Sequence, residues 1–178
     1  MYQERGLMPS EKLAGMMAAA IVSDTVMFKS PTCTRRDRNM AERMARIANV
    51  SLDELGQRIS SASWSDDKTA KELLFSDFKE FHIAEHSLGV GQITCVNSDH
   101  ILRRKDEFIE EMKTAVQRKK YDMVLLMLTD VLLEGTQLLY LGDEEDIRTA
   151  FSQDAKNHSV FLPKVMSRKK QIIPALSA

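Results

Sequence analysis

Little in this chain of 178 residues could serve as a covalent or metallic staple. Its two cysteines, Cys33 and Cys95, stand far apart and match no metal-ligand or redox spacing, which fits reduced thiols in a cytoplasmic protein better than a disulfide framework. Seven glycines and four prolines are too few for a fibrous or disordered chain, and 43% hydrophobic with 29% charged residues predicts a buried core. A membrane-length apolar run is also missing. The most apolar stretch, residues 13–28, is interrupted by Gly15, Ser23 and Asp24, and residues 1–10 lack the apolar segment and cleavage site of a secretion signal. Charge of one sign is not in excess either: 25 Lys and Arg oppose 26 Asp and Glu, so no global positive field recruits nucleic acid and any anion site must be local. No Gly-rich phosphate loop, nucleophile elbow or zinc motif occurs. Eleven methionines are many, but they sit mainly on apolar helix and strand positions, where they fill a core.

What is present reads as two unequal parts. Ser10 opens an Ala- and Met-rich helix expected to be buried on most sides, and Pro31 forces a loop soon after Asp24. Thr34 with Asp37 caps a second helix, and the capping box Ser51-Leu-Asp-Glu54 opens a third, to about Ser60. The small, polar run from Ser60 to Asp67 marks a linker, placed at 63–69, that divides residues 1–62 from 70–178. Beyond it a short helix near 69–74 leads to strands over 78–83 and 89–96, joined as a hairpin by a turn near 85–88. Ser98 or Asp99 is expected to cap one long amphipathic helix ending at Arg118-Lys-Lys120. The apolar run 121–129 suits a strand buried on both faces, with 137–141 as its antiparallel neighbour. A short helix follows Asp143, and β-leaning pieces at 160–162 and 172–173 flank Ser167-Arg-Lys-Lys-Gln171. The second part is therefore α/β with a mixed β-sheet, preceded by a helical segment.

Three places could carry chemistry. Asp24 ends an otherwise apolar helix, where a carboxylate either meets a positive partner such as a metal ion or accepts bonds from the loop amides after it. Arg168-Lys-Lys170 offers a planar fork beside point charges, a pair suited to phosphate; Arg168 and Lys170 share a face if the segment is a strand, whereas a turn brings Arg168 and Lys169 together. A solvated basic edge strand is the plainer alternative. Lys79 shares one face of its strand with Phe81, opposite Phe78 and Glu80. His82 and His86, four apart in an extended segment, lie roughly 13 Å from each other, too far to share an ion.

Taken together, Ala20-Ile-Val-Ser-Asp-Thr-Val-Met-Phe-Lys-Ser-Pro-Thr-Cys-Thr34 resembles a signature stretch of the manganese-dependent (family II) inorganic pyrophosphatases, and Ser167-Arg-Lys-Lys-Gln171 resembles their C-terminal substrate motif. Those enzymes are DHH phosphoesterases in which a catalytic domain holding two Mn²⁺ or Co²⁺ ions faces a smaller DHH-associated domain. The resemblance implies that residues 1–62 are the last helices of the catalytic domain and 70–178 the DHH-associated domain. It implies that Asp24 is a metal ligand, and that Lys79, Arg168 and Lys169 hold the phosphoryl oxygens of pyrophosphate, which binds with Mg²⁺, while a metal-activated water attacks phosphorus. The family's His-x-x-Pro-Asp-x-Asp and Asp-His-His motifs and a further Asp do not occur in this chain. Asp24 alone cannot hold two divalent ions, so the chain by itself is expected to hold none stably and to be inactive. A homodimer through the helical segment is expected, and no nucleic-acid or membrane partner. A non-catalytic phosphate- or polyphosphate-binding module and a short-chain exopolyphosphatase are the alternatives.

Overall fold

The computed structural model describes residues 6, 8–63 and 67–177, the side chains of 60–63 excepted, and divides into two compact units, 1–62 and 63–178. Most of residues 1–7, and Trp64 to Asp66 of the expected linker, lie outside the described residues.

The first unit is three helices: α1 Glu11–Asp24, α2 Arg35–Ala48 and α3 Leu52–Ser63. Each start uses a short polar side chain to satisfy amides that a helix leaves bare. Ser10 accepts from the Leu13 amide, and Thr34 and Asp37 close the reciprocal box expected of them, with Thr34 N donating to Asp37 at 2.8 Å. Those hydrogen bonds from Thr34 hold the Asp37 carboxyl below its ordinary pKa. Ala14, Ala18 and Met44 form the buried centre, lined by Met17, Met40 and Ile47. The expectation that α1 is buried on most sides is not met: Ala14, Ala18 and Val22 are its buried residues, and Met16 is 61% exposed. Small side chains let α1 and α2 approach closely along one stripe, which confines the burial to that stripe.

The second unit is built on one mixed sheet of five strands in the order β1 Phe78–Ile83, β2 His86–Cys95, β3 Met123–Asp130, β4 Gly135–Leu141 and β5 Ser159–Pro163. The β2–β3 pair is parallel and the rest are antiparallel. All eight residues of β3 are buried, as its unbroken apolar run requires. On one face pack α4 Ala70–Ser76 and α6 Lys105–Lys119, around Leu73, Phe108, Met112 and Leu126. On the other lie α7 Glu144–Phe151, a π-helical turn Arg168–Ile172 and α8 Ile173–Leu176, around Val90, Leu125, Ile147 and Ile172. Alternation along β1 falls as read from the sequence, with Phe78 packed toward the first face and Phe81 toward the second.

Three expectations need correction. The hairpin turns earlier than predicted, at Ala84-Glu85, because Ile83 already pairs with His86 and Ala84 adopts the left-handed region at φ 51°. His82 and His86 therefore stand on adjacent antiparallel strands, not along one extended segment, and the pleat points them to opposite faces. The long helix is broken: α5 spans only Asp99–Leu102, Ser98 makes no side-chain cap bond, and Arg104 leaves helical space at φ −98°, ψ 17°. Arg104 instead spans the break, donating to the Lys68 carbonyl and to Glu107. Finally, residues 172–173 are helical. Ile172 is buried against the sheet, a demand that helical and extended backbones both satisfy.

Close approach of α4 to β2 depends on Gly91, where an added Cβ would sit 2.6 Å from the Leu74 carbonyl oxygen. That oxygen is backbone and cannot swing aside. Gly91→Ala should therefore lower stability in urea unfolding, by about 1–3 kcal/mol; an unchanged midpoint would contradict this packing.

Candidate functional site

Lys79 is exposed on the edge strand β1, whose register is pinned from the opposite face. There Tyr121 donates its hydroxyl to Glu80 at 2.5 Å, and Phe78 packs beside the Tyr121 ring. Burial, and then the bond and charge of Glu80, push the Tyr121 phenol up to about 12, so the donor stays protonated. Because Lys79 pairs with Val90, it projects from the sheet face that carries the π-helical turn.

That turn begins at Ser167, whose side chain accepts from the Lys170 amide at 3.3 Å. Gln171 clamps the approach from inside the turn: its Oε1 accepts from the amides of Met166 and Ser167 at 2.9 and 3.0 Å, and its Nε2 donates to the Lys164 carbonyl. Ile172 N also bonds to Ser167 O, the wide ring of a π turn. The segment is therefore neither the strand nor the basic edge weighed from sequence. Its first residue points inward and the next two outward.

Arg168 is 6% exposed, and a buried guanidinium must find acceptors. Its Nη1 donates to the carbonyls of Asp77 and Val90 at 2.7 and 2.9 Å, and its Nη2 donates to Asp77 Oδ1 at 2.8 Å. Three of the five guanidinium donors are thus used. Nε–H and one Nη2–H remain. No buried side-chain nitrogen or oxygen among the described residues lacks a partner, so Nε, which has none, is not fully buried. Lys169 and Lys170 follow immediately, both exposed. Arg168 and Lys79 share a neighbourhood, because Val90 bonds to the first and pairs with the second. A guanidinium with a free Nε–H, next in the chain to two exposed ammonium groups, has the chemistry to meet a phosphoryl oxygen.

Asp24 is the last residue of α1, exposed, in the other unit. The loop amides after it do not turn to its carboxylate. Thr25 takes that part: its hydroxyl donates to the Ile21 carbonyl at 2.7 Å and accepts from the Phe28 amide, while its carbonyl accepts from Ser30 N. Val26, Met27 and Phe28 are all left-handed, at φ 49°, 52° and 65°, a conformation costing roughly 1–2 kcal/mol per residue. Among the described residues no three His, Cys, Asp or Glu side chains gather as a metal site. One carboxylate is a fraction of what a divalent ion of the manganese type requires. The residues present do not by themselves make such a site.

The DHHA2 domain family matches residues 59–178, which is the whole of the sheet-bearing unit and two-thirds of the chain. The chain belongs to the DHHA2 domain family. Its likeness extends further, through both units: a manganese-dependent inorganic pyrophosphatase of Methanothrix thermoacetophila is 41% identical over 183 residues, covering 100% of this chain and 58% of that protein. A "probable manganese-dependent inorganic pyrophosphatase" of Staphylococcus saprophyticus is 36% identical over 99% of this chain, again 58% of its own length. The crystal structure of a Methanococcus jannaschii protein assigned to the family II inorganic pyrophosphatases superposes with a TM-score of 0.84 at 34% identity, over 94% of this chain and 55% of that one. The chain thus spans little more than half the length of the relatives it matches.

Sequence reasoning did not find Asp77, Val90 or Gln171 within this DHHA2 site. The partner of Arg168 lies 91 residues away, beyond any local pattern. Gln171, four residues after Ser167, carried a signal in its spacing, since a side chain one helical turn on can reach back to the amides before the turn.

Arg168→Lys keeps the charge but loses the fork that reaches two carbonyls and a carboxylate. Urea unfolding should show a loss of about 1–3 kcal/mol; wild-type stability would mean that these bonds do not hold the turn.

Proposed function

We propose that this chain is the substrate-gripping part of an inorganic pyrophosphatase, in which Lys79, Arg168 and Lys169 bind the phosphoryl oxygens of pyrophosphate. The observation that carries this reading is the Arg168 fork, fixed by Asp77 and Val90 with its Nε–H left without a protein partner, on the same sheet face as Lys79. A fixed guanidinium binds anions through charge-assisted hydrogen bonds, and neighbouring lysines add charge without demanding geometry. The names of the Methanothrix and Staphylococcus relatives support pyrophosphate as the substrate and manganese as the metal of the complete protein.

In this reading residues 1–62 are the closing helices of a catalytic domain, 63–69 a linker and 70–178 the substrate-binding domain. Asp24 supplies one carboxylate to a metal centre whose other ligands lie outside this chain, with Mn²⁺ or Co²⁺ as the ion. Hydrolysis by metal-activated water belongs to the complete protein, and this chain alone is inactive. Two free thiols, Cys33 and Cys95, suit a cytoplasmic setting. Met16, exposed off the buried stripe of α1, is surface that a second copy or the rest of the catalytic domain would cover.

Calorimetric titration of the chain with pyrophosphate tests the grip. Lys79→Ala and Lys169→Ala change exposed residues and should leave folding intact. Each should weaken binding by about tenfold, the worth of one charge-assisted hydrogen bond. Phosphate release with added Mn²⁺ should stay at background. Binding unchanged in both variants, or enzymatic turnover by the chain, would overturn the proposal.

A further inference from the structure

The sheet face beneath Arg168 is not wholly apolar. Thr129 on β3 and Thr136 on β4 are both fully buried, and Gln92 on β2 reaches them. Gln92 Nε2 lies 3.0 Å from Thr129 Oγ1, Thr129 Oγ1 lies 3.3 Å from Thr136 Oγ1, and Thr136 Oγ1 lies 2.6 Å from the Val165 carbonyl oxygen. Proton counting fixes the direction. A carbonyl can only accept, so Thr136 spends its single hydroxyl proton on Val165. Thr129 must then donate to Thr136, and Gln92 must donate to Thr129. Reversing the Gln92 amide would take the Thr129 proton away and leave two hydroxyl oxygens facing each other with none between them. Only one orientation makes all three contacts hydrogen bonds.

Both ends of this relay lead to Arg168. Val165 lies three residues before it, at the start of the loop that Gln171 clamps, so Thr136 anchors the segment from which Arg168 departs. At the other end the Gln92 backbone amide donates to the Asp77 carbonyl at 3.0 Å, the same oxygen that accepts from Arg168 Nη1. A closed circuit therefore runs from Arg168 through Asp77, Gln92, Thr129, Thr136 and Val165 back to its own turn.

We infer that Gln92, Thr129 and Thr136 are positioning residues for anion binding, which set the aim of the Arg168 fork by holding both the carbonyl it bonds to and the loop that carries it. None of the three needs to touch the anion. The inference rests on the proposed role of Arg168 in binding pyrophosphate.

Titration of the full chain with pyrophosphate, read by calorimetry, separates the possibilities. Thr136→Val keeps the volume and removes the donor; it should weaken binding about five- to tenfold, roughly the 1–1.4 kcal/mol of one hydrogen bond. Thr136→Ser, which restores the hydroxyl, should return affinity to within about twofold of wild type, and Gln92→Leu should resemble Thr136→Val. A role exerted through Arg168 also predicts non-additivity. Combined with Arg168→Lys, Thr136→Val should cost little more than Arg168→Lys alone, whereas with Lys79→Ala the two losses should multiply. A merely structural role would lower the melting temperature and leave affinity, or additivity, intact. Wild-type affinity in both Thr136→Val and Gln92→Leu overturns the inference while leaving the site itself standing. Failure of the wild-type chain to bind pyrophosphate overturns both.

Discussion

A guanidinium group out of water must be met by oxygen, and in this chain that requirement ties the end of the sequence to its first hairpin. Arg168 finds its acceptors in Asp77 and Val90, 91 and 78 residues earlier. Bonds to a charged group contribute about 1.5–3 kcal/mol each, and an unmet buried charge costs more than that. The closing turn therefore has one position on the sheet at which it is satisfied. The same bonds leave Nε–H without a protein partner, and it is this group that the proposed reading turns toward an anion. Lys79 shares that neighbourhood because Val90 serves both residues, one through its carbonyl and the other through strand pairing.

Much of this was legible in the sequence where a local rule governs. The apolar run 121–129 announced β3, whose eight residues are all buried, alternation placed Lys79 and Phe81 together, and Thr34 with Asp37 marked a helix start that the folded chain uses. What stayed hidden was set by contacts distant in sequence. Ser167 to Gln171 has β-leaning neighbours, yet the buried demand of Ile172 and the clamp of Gln171 wind it into a π turn. The break at Arg104 contains neither Gly nor Pro, and its guanidinium satisfies the Lys68 carbonyl, 36 residues back. Basic character at Arg168 was visible; its being buried, and so directional, was not.

The two units differ in how complete their chemistry is. The DHHA2 unit carries its own sheet, two packed faces and the hydrogen-bond circuit around Arg168. The helical unit carries one exposed carboxylate at Asp24 and three consecutive left-handed residues after it, conformations that persist only where surrounding bonds over-determine them. Thr25 provides those bonds.

The central claim is that Arg168 holds Asp77 through its Nη atoms and the anion through Nε–H at the same time. Nitrogen-15 NMR of the arginine side chains during titration with pyrophosphate addresses it directly. The Arg168 Nε–H resonance should shift saturably with pyrophosphate while the Asp77 carboxylate carbon stays in place. An unmoved Nε–H signal, or release of Asp77 as pyrophosphate binds, would contradict it.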